Sequence, residues 1–376
     1  MTPRQRVLTT LSRKKPDKVP REISWGAFTP ALMKVFREKT GATDPAEYFN
    51  FEIRPVSWTS TKKKKNFKEI FKDYLPNLLQ EAIVNEWGIA SLPGSMYHFM
   101  RNIHPMRDLR SKREILDYPF PDIKVPYRYK HLKGEVEELK RRDLAVAGEL
   151  YCTIFETAWG LRGMENLLMD FSTNSKLAET LLDILVDIRC EQAKRFAKAG
   201  VDILRLGDDV GSQRKMLMSA EMWRKWLKPR LKKVIKSARE VNSEIHIFYH
   251  SDGYIEPIIP ELIEIGVDIL NPVQPECMDP SKLKKQYGDK LAFWGTVSCQ
   301  RTMPFGTPED VINEVKLRIK TVGENGGLLI APTHILEPDV PWENVLAFFE
   351  GVKRYGWYNK KRKFWSSLAL CCEQLS

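Results

Sequence analysis

No stretch of this 376-residue chain approaches the roughly 18 consecutive apolar residues that a bilayer span requires. The first residues, Met1-Thr-Pro-Arg-Gln-Arg, carry no apolar segment of the signal-peptide kind, so a soluble cytoplasmic protein is expected, with no membrane partner. Cysteine is scarce. The six residues, at 152, 190, 277, 299, 371 and 372, include no Cys-x-x-Cys pair and no zinc-finger spacing. That argues against a disulfide framework and leaves free thiols. No glycine-rich loop follows any strand-like segment, which removes the phosphate-cradling turn of dinucleotide folds. Basic clusters occur at residues 62–65, 110–113, 140–142 and 360–363, but aromatics are not interleaved with them. A base-stacking platform is therefore missing, and nucleic acid is not an expected partner.

Positive charge and apolar mass are plentiful. The net charge of +11 favours an anionic ligand or an acidic protein partner. An apolar share of 43% is enough to fill one large core. One domain is expected over residues 1–357, with a basic C-terminal tail over 358–376.

The pattern begins with short amphipathic helices at 3–13 and 28–40. Strands are predicted at 51–58 and at 81–89, the second with Glu86 and Trp87 near its end. From residue 145 the alternation becomes regular. Strands at 145–151, 201–209, 245–250, 267–272, 291–297 and 327–334 alternate with helices at 161–170, 174–199, 219–242, 256–265, 280–287, 308–322 and 342–355. Several of these helices end at glycine. Five strands beyond residue 200 and three before 152 give the eight of a (β/α)8 TIM barrel, an α/β fold, here with an N-terminal helical extension.

The stretch Ile245-His-Ile-Phe-Tyr-His-Ser-Asp-Gly253 organises the rest. It is a buried strand by composition, and it ends with an imidazole and a carboxylate two residues apart, on one face of an extended backbone. In a barrel, chemistry belongs at such strand ends. The same position on the other strands carries Glu86 and Trp87, Glu149 and Tyr151, Asp208 and Asp209, Asn271 and Gln274, Thr296 and Gln300, and His334. Two chemistries are open. His250, Asp252 and His334 form a two-His, one-carboxylate metal set, with zinc the first candidate. Alternatively His250 and Asp252 move protons without a metal. Structural readings stand beside these: Asp208 and Asp209 as caps of backbone N–H groups, Asp252-Gly253 as a turn, and His334 as a loop residue. Cys277 and Cys299 are softer ligands in one reading and inert loop thiols in the other.

Seven segments carry a resemblance that spans residues 3–355. They are Thr2-Pro-Arg-Gln-Arg-Val-Leu-Thr-Thr-Leu11, Pro16-Asp-Lys-Val-Pro20, Phe155-Glu-Thr-Ala-Trp-Gly-Leu-Arg-Gly163, Gly207-Asp-Asp-Val-Gly211, His250-Ser-Asp-Gly253, Gly266-Val-Asp-Ile-Leu-Asn-Pro272 and Ala331-Pro-Thr-His334. In order and spacing the chain resembles the uroporphyrinogen decarboxylase superfamily, whose fold is a (β/α)8 barrel. That resemblance implies one of two activities: cofactor-free decarboxylation of uroporphyrinogen, or methyl transfer to or from corrinoid proteins. The decarboxylase branch carries an N-terminal Arg-Gln-Ala-Gly-Arg-Tyr clamp for the substrate carboxylates. Here that region reads Pro20-Arg-Glu-Ile-Ser-Trp-Gly26, and the branch's catalytic Phe-Ser-Asp-Ile motif is replaced by Asn85-Glu-Trp-Gly88. Zinc-dependent methyltransferases of the family use a His-x-Cys pair and a later Cys. This chain has His250-x-Asp252 and His334 at the similar places, a harder ligand set.

The resemblance therefore implies a methyltransferase taking a methyl group from a methyl ether, methylamine or methyl-folate. His250, Asp252 and His334 would be metal ligands or acid/base groups, and Asp208 and Asp209 would orient the donor. Glu86, Trp87, Tyr151, Trp159, Asn271, Gln274 and Gln300 would line the substrate cavity. Zinc and a corrinoid carried by an acidic partner protein are the implied cofactors, and a homodimer is common in the family. A decarboxylase without cofactor and a non-catalytic tetrapyrrole- or corrinoid-binding protein are the alternatives.

Overall fold

The computed structural model describes residues 1–26, 28–62, 66–94, 100–173 and 175–358. The basic tail beyond Tyr358 lies outside the described residues. Strand β1 (Ile53–Val56) is followed by a small antiparallel sheet of β2 (Ile83–Val84), β3 (Ala90–Leu92) and β4 (Arg101–Ile103). Then come β5 (Ala145–Leu150), β6 (Ile203–Gly207), β7 (His246–His250), β8 (Ile269–Asn271), β9 (Ala292–Val297) and β10 (Leu328–Pro332). These six and β1 pair in parallel, each with its successor, in one seven-stranded sheet.

Side-chain alternation shows that this sheet wraps on itself. Ile53, Ala145, Ala147, Ile203, Phe248, Ile269, Ala292, Trp294, Leu329 and Ala331 come from all seven strands, yet they share one inner cluster. Val7 and Leu11 of the helix Pro3–Leu11 join that cluster. The small Ala side chains on β5, β9 and β10 leave room for Phe248 and Trp294. Intervening residues such as Val146, Leu204, Ile247, Leu270 and Ile330 face outward into the larger cluster.

The eighth barrel position is filled by a segment that periodicity did not mark. Arg21 bridges Ile330 in parallel. Ile330 N–H donates to Pro20 O at 3.0 Å, and Glu22 N–H to Ile330 O at 3.3 Å. Two residues of pairing flanked by proline are too short to carry a period. The expected strand at 81–89 is instead the hairpin β2–β3, because Asn85-Glu-Trp-Gly88 has turn chemistry. Gly88 N–H donates to Asn85 O at 3.0 Å, and the Asn85 side chain accepts from Trp87 and Ile89 N–H. The single helix expected over 219–242 divides into Ala220–Trp226 and Lys228–Arg239. Pro229 in the first turn of the second helix has no N–H to continue the first. Among the described residues, no helix is long and apolar enough to cross a membrane.

Candidate functional site

The site lies where β6, β7 and β8 end. His250 and Asn271 are paired neighbours on β7 and β8, so their inward side chains stand side by side. Gly207 ends β6 opposite His250, where a Cβ would meet the histidine Cβ at 2.7 Å. Beyond the strands, Gly253 sits at φ +80, and a Cβ there would come within 2.6 Å of Ser212 O. Only glycine lets the two loops touch so closely. Their contact brings Asp209 to Asp252, whose N–H donates to Asp209 Oδ1 at 2.8 Å.

His250 Nε2 lies 3.6 Å from Asp209 Oδ1 and 3.8 Å from Asp252 Oδ1. One donor atom from each of Asp209, His250 and Asp252 falls within 4.8 Å of the others. His334, expected as a third ligand, stands one carboxylate away, its Nε2 3.9 Å from Asp252 Oδ2 and its ring 6.4 Å from that of His250. These three residues fit a divalent cation for a reason visible in the hydrogen bonds. The Asn271 amide donates to Trp294 O at 2.8 Å, which turns its oxygen to His250 Nδ1 at 2.5 Å. Nδ1 thus faces an amide oxygen, and Nε2 faces two carboxylates. Asp252 Oδ1 is buried without a hydrogen-bond donor. A buried carboxylate oxygen without a donor, facing an imidazole nitrogen and a second carboxylate, suits a cation. The two distances from His250 Nε2, 3.6 and 3.8 Å, are a few tenths of an ångström wider than the roughly 3.3 Å edge of a tetrahedral shell with 2.0–2.1 Å bonds.

The surroundings are acidic. Asp208 is buried, and its carboxylate accepts from the N–H groups of Ile154 and Glu156 at 3.0 Å. It thereby caps the helix Phe155–Arg162. Burial pushes the Asp208 carboxyl up to about 7, against those backbone donors. Asp252 is also pushed up to about 7 by burial, with His250 pulling it down and Asp209 pushing it up. Glu156, whose Oε2 accepts from Asp209 N–H at 3.2 Å, is raised well above the usual carboxylate range by burial and by Asp209 and Asp208. Folded values near 7 against about 3.9 in the unfolded chain mean that Asp208 and Asp252 favour the fold fully only below about pH 3.9. That stabilisation is lost as pH rises through 7. Metal-free protein should therefore melt at a lower temperature at pH 8 than at pH 5.5. Added Zn2+ should raise the midpoint more at pH 8, where cation no longer competes with protons. A midpoint that rises with pH in the metal-free protein would contradict this electrostatic picture.

The other expected residues separate into three groups. Asn271 holds His250, and Gln274 Oε1 accepts from Gly253 N–H at 2.7 Å to fix the turn. Tyr151 places its ring edge-on to His250 at 6.5 Å and its hydroxyl beside Arg205. Trp159 packs on Phe155 in the capped helix, and Gln300 is half-buried in the turn after β9. Glu86 and Trp87 sit in the hairpin turn rather than at a barrel strand end. Glu86 forms a two-pronged ion pair with Arg128 (2.6 and 2.9 Å). Trp87 lies over the buried Arg189 at 5.5 Å. The thiols of Cys277 and Cys299 are pushed up to about 11 and about 12 by burial, which leaves them protonated.

Three residues escaped the reading of strand ends. Glu156 lies on a helix. Glu22 and Arg205 lie inside the barrel, beneath the mouth. Arg205 Nη2 donates to both Glu22 oxygens (3.1 and 3.2 Å), and its Nη1 is 3.7 Å from Glu149. The guanidinium also lies over Trp294 at 4.6 Å. A signal existed: Arg205 shares the parity of inward Ile203 in Ile-Leu-Arg-Leu-Gly.

Comparisons with known proteins show the family and the fold. The family description "Uroporphyrinogen decarboxylase (URO-D)" matches residues 99–355. A methylcobamide:CoM methyltransferase of Methanosarcina barkeri is 28% identical over 179 residues, covering 48% of this chain and 49% of that protein. The chain thus matches about half the length of that relative. A uroporphyrinogen decarboxylase of Rickettsia africae (strain ESF-5) is 23% identical over 276 residues, covering 71% of this chain and 76% of that protein. A solved structure described as a methyltransferase from Methanosarcina mazei superposes with a TM-score of 0.64 at 21% identity, covering 94% of this chain and 99% of that one. That likeness supports the barrel fold.

Proposed function

The chain belongs to the uroporphyrinogen decarboxylase family, and on that premise we propose that it moves a methyl group between a small methyl donor and a corrinoid held by an acidic partner protein. The observation that carries this reading is the convergence of His250 Nε2 with Asp209 and Asp252 at the barrel mouth. A divalent cation held by these residues would act as a Lewis acid on the heteroatom bearing the methyl group. Asn271 orients the imidazole, and Gln274 holds the Gly253 turn that presents Asp252. His334, beside Asp252, would contact the donor. The basic surface favours an acidic partner by electrostatic steering.

The arginines do not favour the decarboxylase reading. An acid substrate needs guanidinium groups turned to the cavity, and those near the mouth are committed. Arg205 is tied to Glu22, and Arg189 donates to Cys152 O, Thr153 O and the Thr157 hydroxyl. Arg21, the arginine of the region that resembles the clamp, donates to Phe49 O. The carboxyl groups of Glu156, Asp208, Asp209 and Asp252 offer a polyacid no cation to pair with.

The test supplies reduced cobalamin and, in separate reactions, methanol, methylamines, an aryl methyl ether and methyl-folate. Methylcobalamin is followed by its absorbance, and uroporphyrinogen decarboxylation is assayed in parallel. Methylcobalamin from one donor with no decarboxylation is expected. Carbon dioxide release without methyl transfer would overturn the proposal.

A further inference from the structure

We infer that Asn271 is a positioning residue that locks His250 in the Nδ1–H tautomer, making Nε2 the ring's cation-binding atom. This rests on the proposed cation role of the site, yet the tautomer can be read without any cation.

A neutral imidazole has two tautomers, and only one nitrogen at a time offers a lone pair. The neighbour of His250 Nδ1 decides which. Asn271 is buried, and both ends of its amide are spoken for: Nδ2 donates to Trp294 O at 2.8 Å and Oδ1 faces Nδ1 at 2.5 Å. Flipping the amide would set its oxygen against the Trp294 carbonyl, two acceptors at hydrogen-bond distance, so the orientation is fixed by chemistry. The Trp294 carbonyl is itself immobilised. Its indole Nε1–H donates to Glu22 Oε1 at 2.9 Å, its ring lies beneath Arg205 at 4.6 Å, and Phe248 meets it edge-on at 5.1 Å. The buried Glu22–Arg205 pair thus supports Trp294, Trp294 orients Asn271, and Asn271 orients His250. A charged pair inside a barrel core is costly to desolvate, a cost offset only by close pairing and further hydrogen bonds such as the one from Trp294. Here the pair fixes a carbonyl 2.8 Å from the amide that sets the ring.

The experiment uses the full chain, 15N-labelled and metal-free, at a pH where the ring is neutral. Long-range proton–nitrogen correlation should show His250 with a protonated Nδ1 and an unprotonated Nε2. Asn271→Asp keeps an acceptor for Nδ1 and, with its second oxygen protonated to donate to Trp294 O as the amide does, should keep that pattern. Asn271→Leu should mix the tautomers and weaken Zn2+ by about 10- to 100-fold, the usual effect of removing a partner behind a ligand. Protonated Nε2 in the wild type would overturn the inference, and so would unchanged Zn2+ affinity in Asn271→Leu. If wild type has the expected tautomer but binds no Zn2+, the cation reading of the site fails while the assignment of Asn271 stands. Should Asn271→Leu not fold, the wild-type spectrum and the Asp variant still decide.

Discussion

His250→Ala is expected to leave the chain without its divalent cation. Wild type purified without chelator should carry about one cation per chain, and the variant should bind Zn2+ at least about 100-fold more weakly. Losing a direct ligand costs more than losing an outer partner, which already costs 10- to 100-fold. The reason is local. Nε2 is the one nitrogen among the converging ligand atoms, and without the imidazole that pulls it down the Asp252 carboxyl, already raised by burial and by Asp209, rises further. Asp209→Asn should fail similarly, because it removes a ligand charge and perturbs the bond from Asp252 N–H. Cys299→Ser is the control, since its thiol is buried against the Thr333 hydroxyl and held protonated. Equal cation content in wild type and His250→Ala would remove the ligand assignment.

Arg205→Met should destabilise the fold by about 3–5 kcal/mol, the cost of breaking a buried pair by removing its cation. Arg205 is 1% exposed and Glu22 3%, so water cannot rescue the orphaned carboxylate. Burial already pushes the Glu22 and Glu149 carboxyls up, with Arg205 the cation that holds them down. Without it they rise further. The variant should regain stability as pH falls, because protonation removes the buried charge. Glu22→Gln combined with Arg205→Met should recover most of the loss, which a double-mutant cycle in urea would measure. If the double variant is as unstable as the single, shape rather than charge compensation governs this layer.

Much of the barrel was legible because its signals are local. Strands β5 to β10 have apolar stretches of the right length, and helix ends are marked by glycines such as Gly266 and Gly288. Where the structure departs from the strand and helix pattern, a competing local rule decides. Asn85 and Gly88 make a turn, so Ile83–Val84 pairs with β3 and not with the barrel. Pro229 divides a helix whose apolar period continues across the break. Pro20–Glu22 carries no period, and it takes the eighth place only because β10 offers an edge to pair with.

The sequence by itself determined the alternating architecture, the strand end at His250 and Asp252, and the absence of a phosphate loop. Each depends on residues within a few positions of one another. Tertiary structure alone decided which carboxylate meets His250. Asp209 arrives on a loop 41 residues earlier, brought in by the close approach of Gly253 to Ser212, whereas His334 stops one carboxylate short. It also decided that Asp208 serves a helix N-terminus, and that Glu22 finds Arg205 across 183 residues of chain. Side-chain period tells which face a residue occupies. Which residues meet on that face is set by barrel closure and by how closely glycine lets two loops pack.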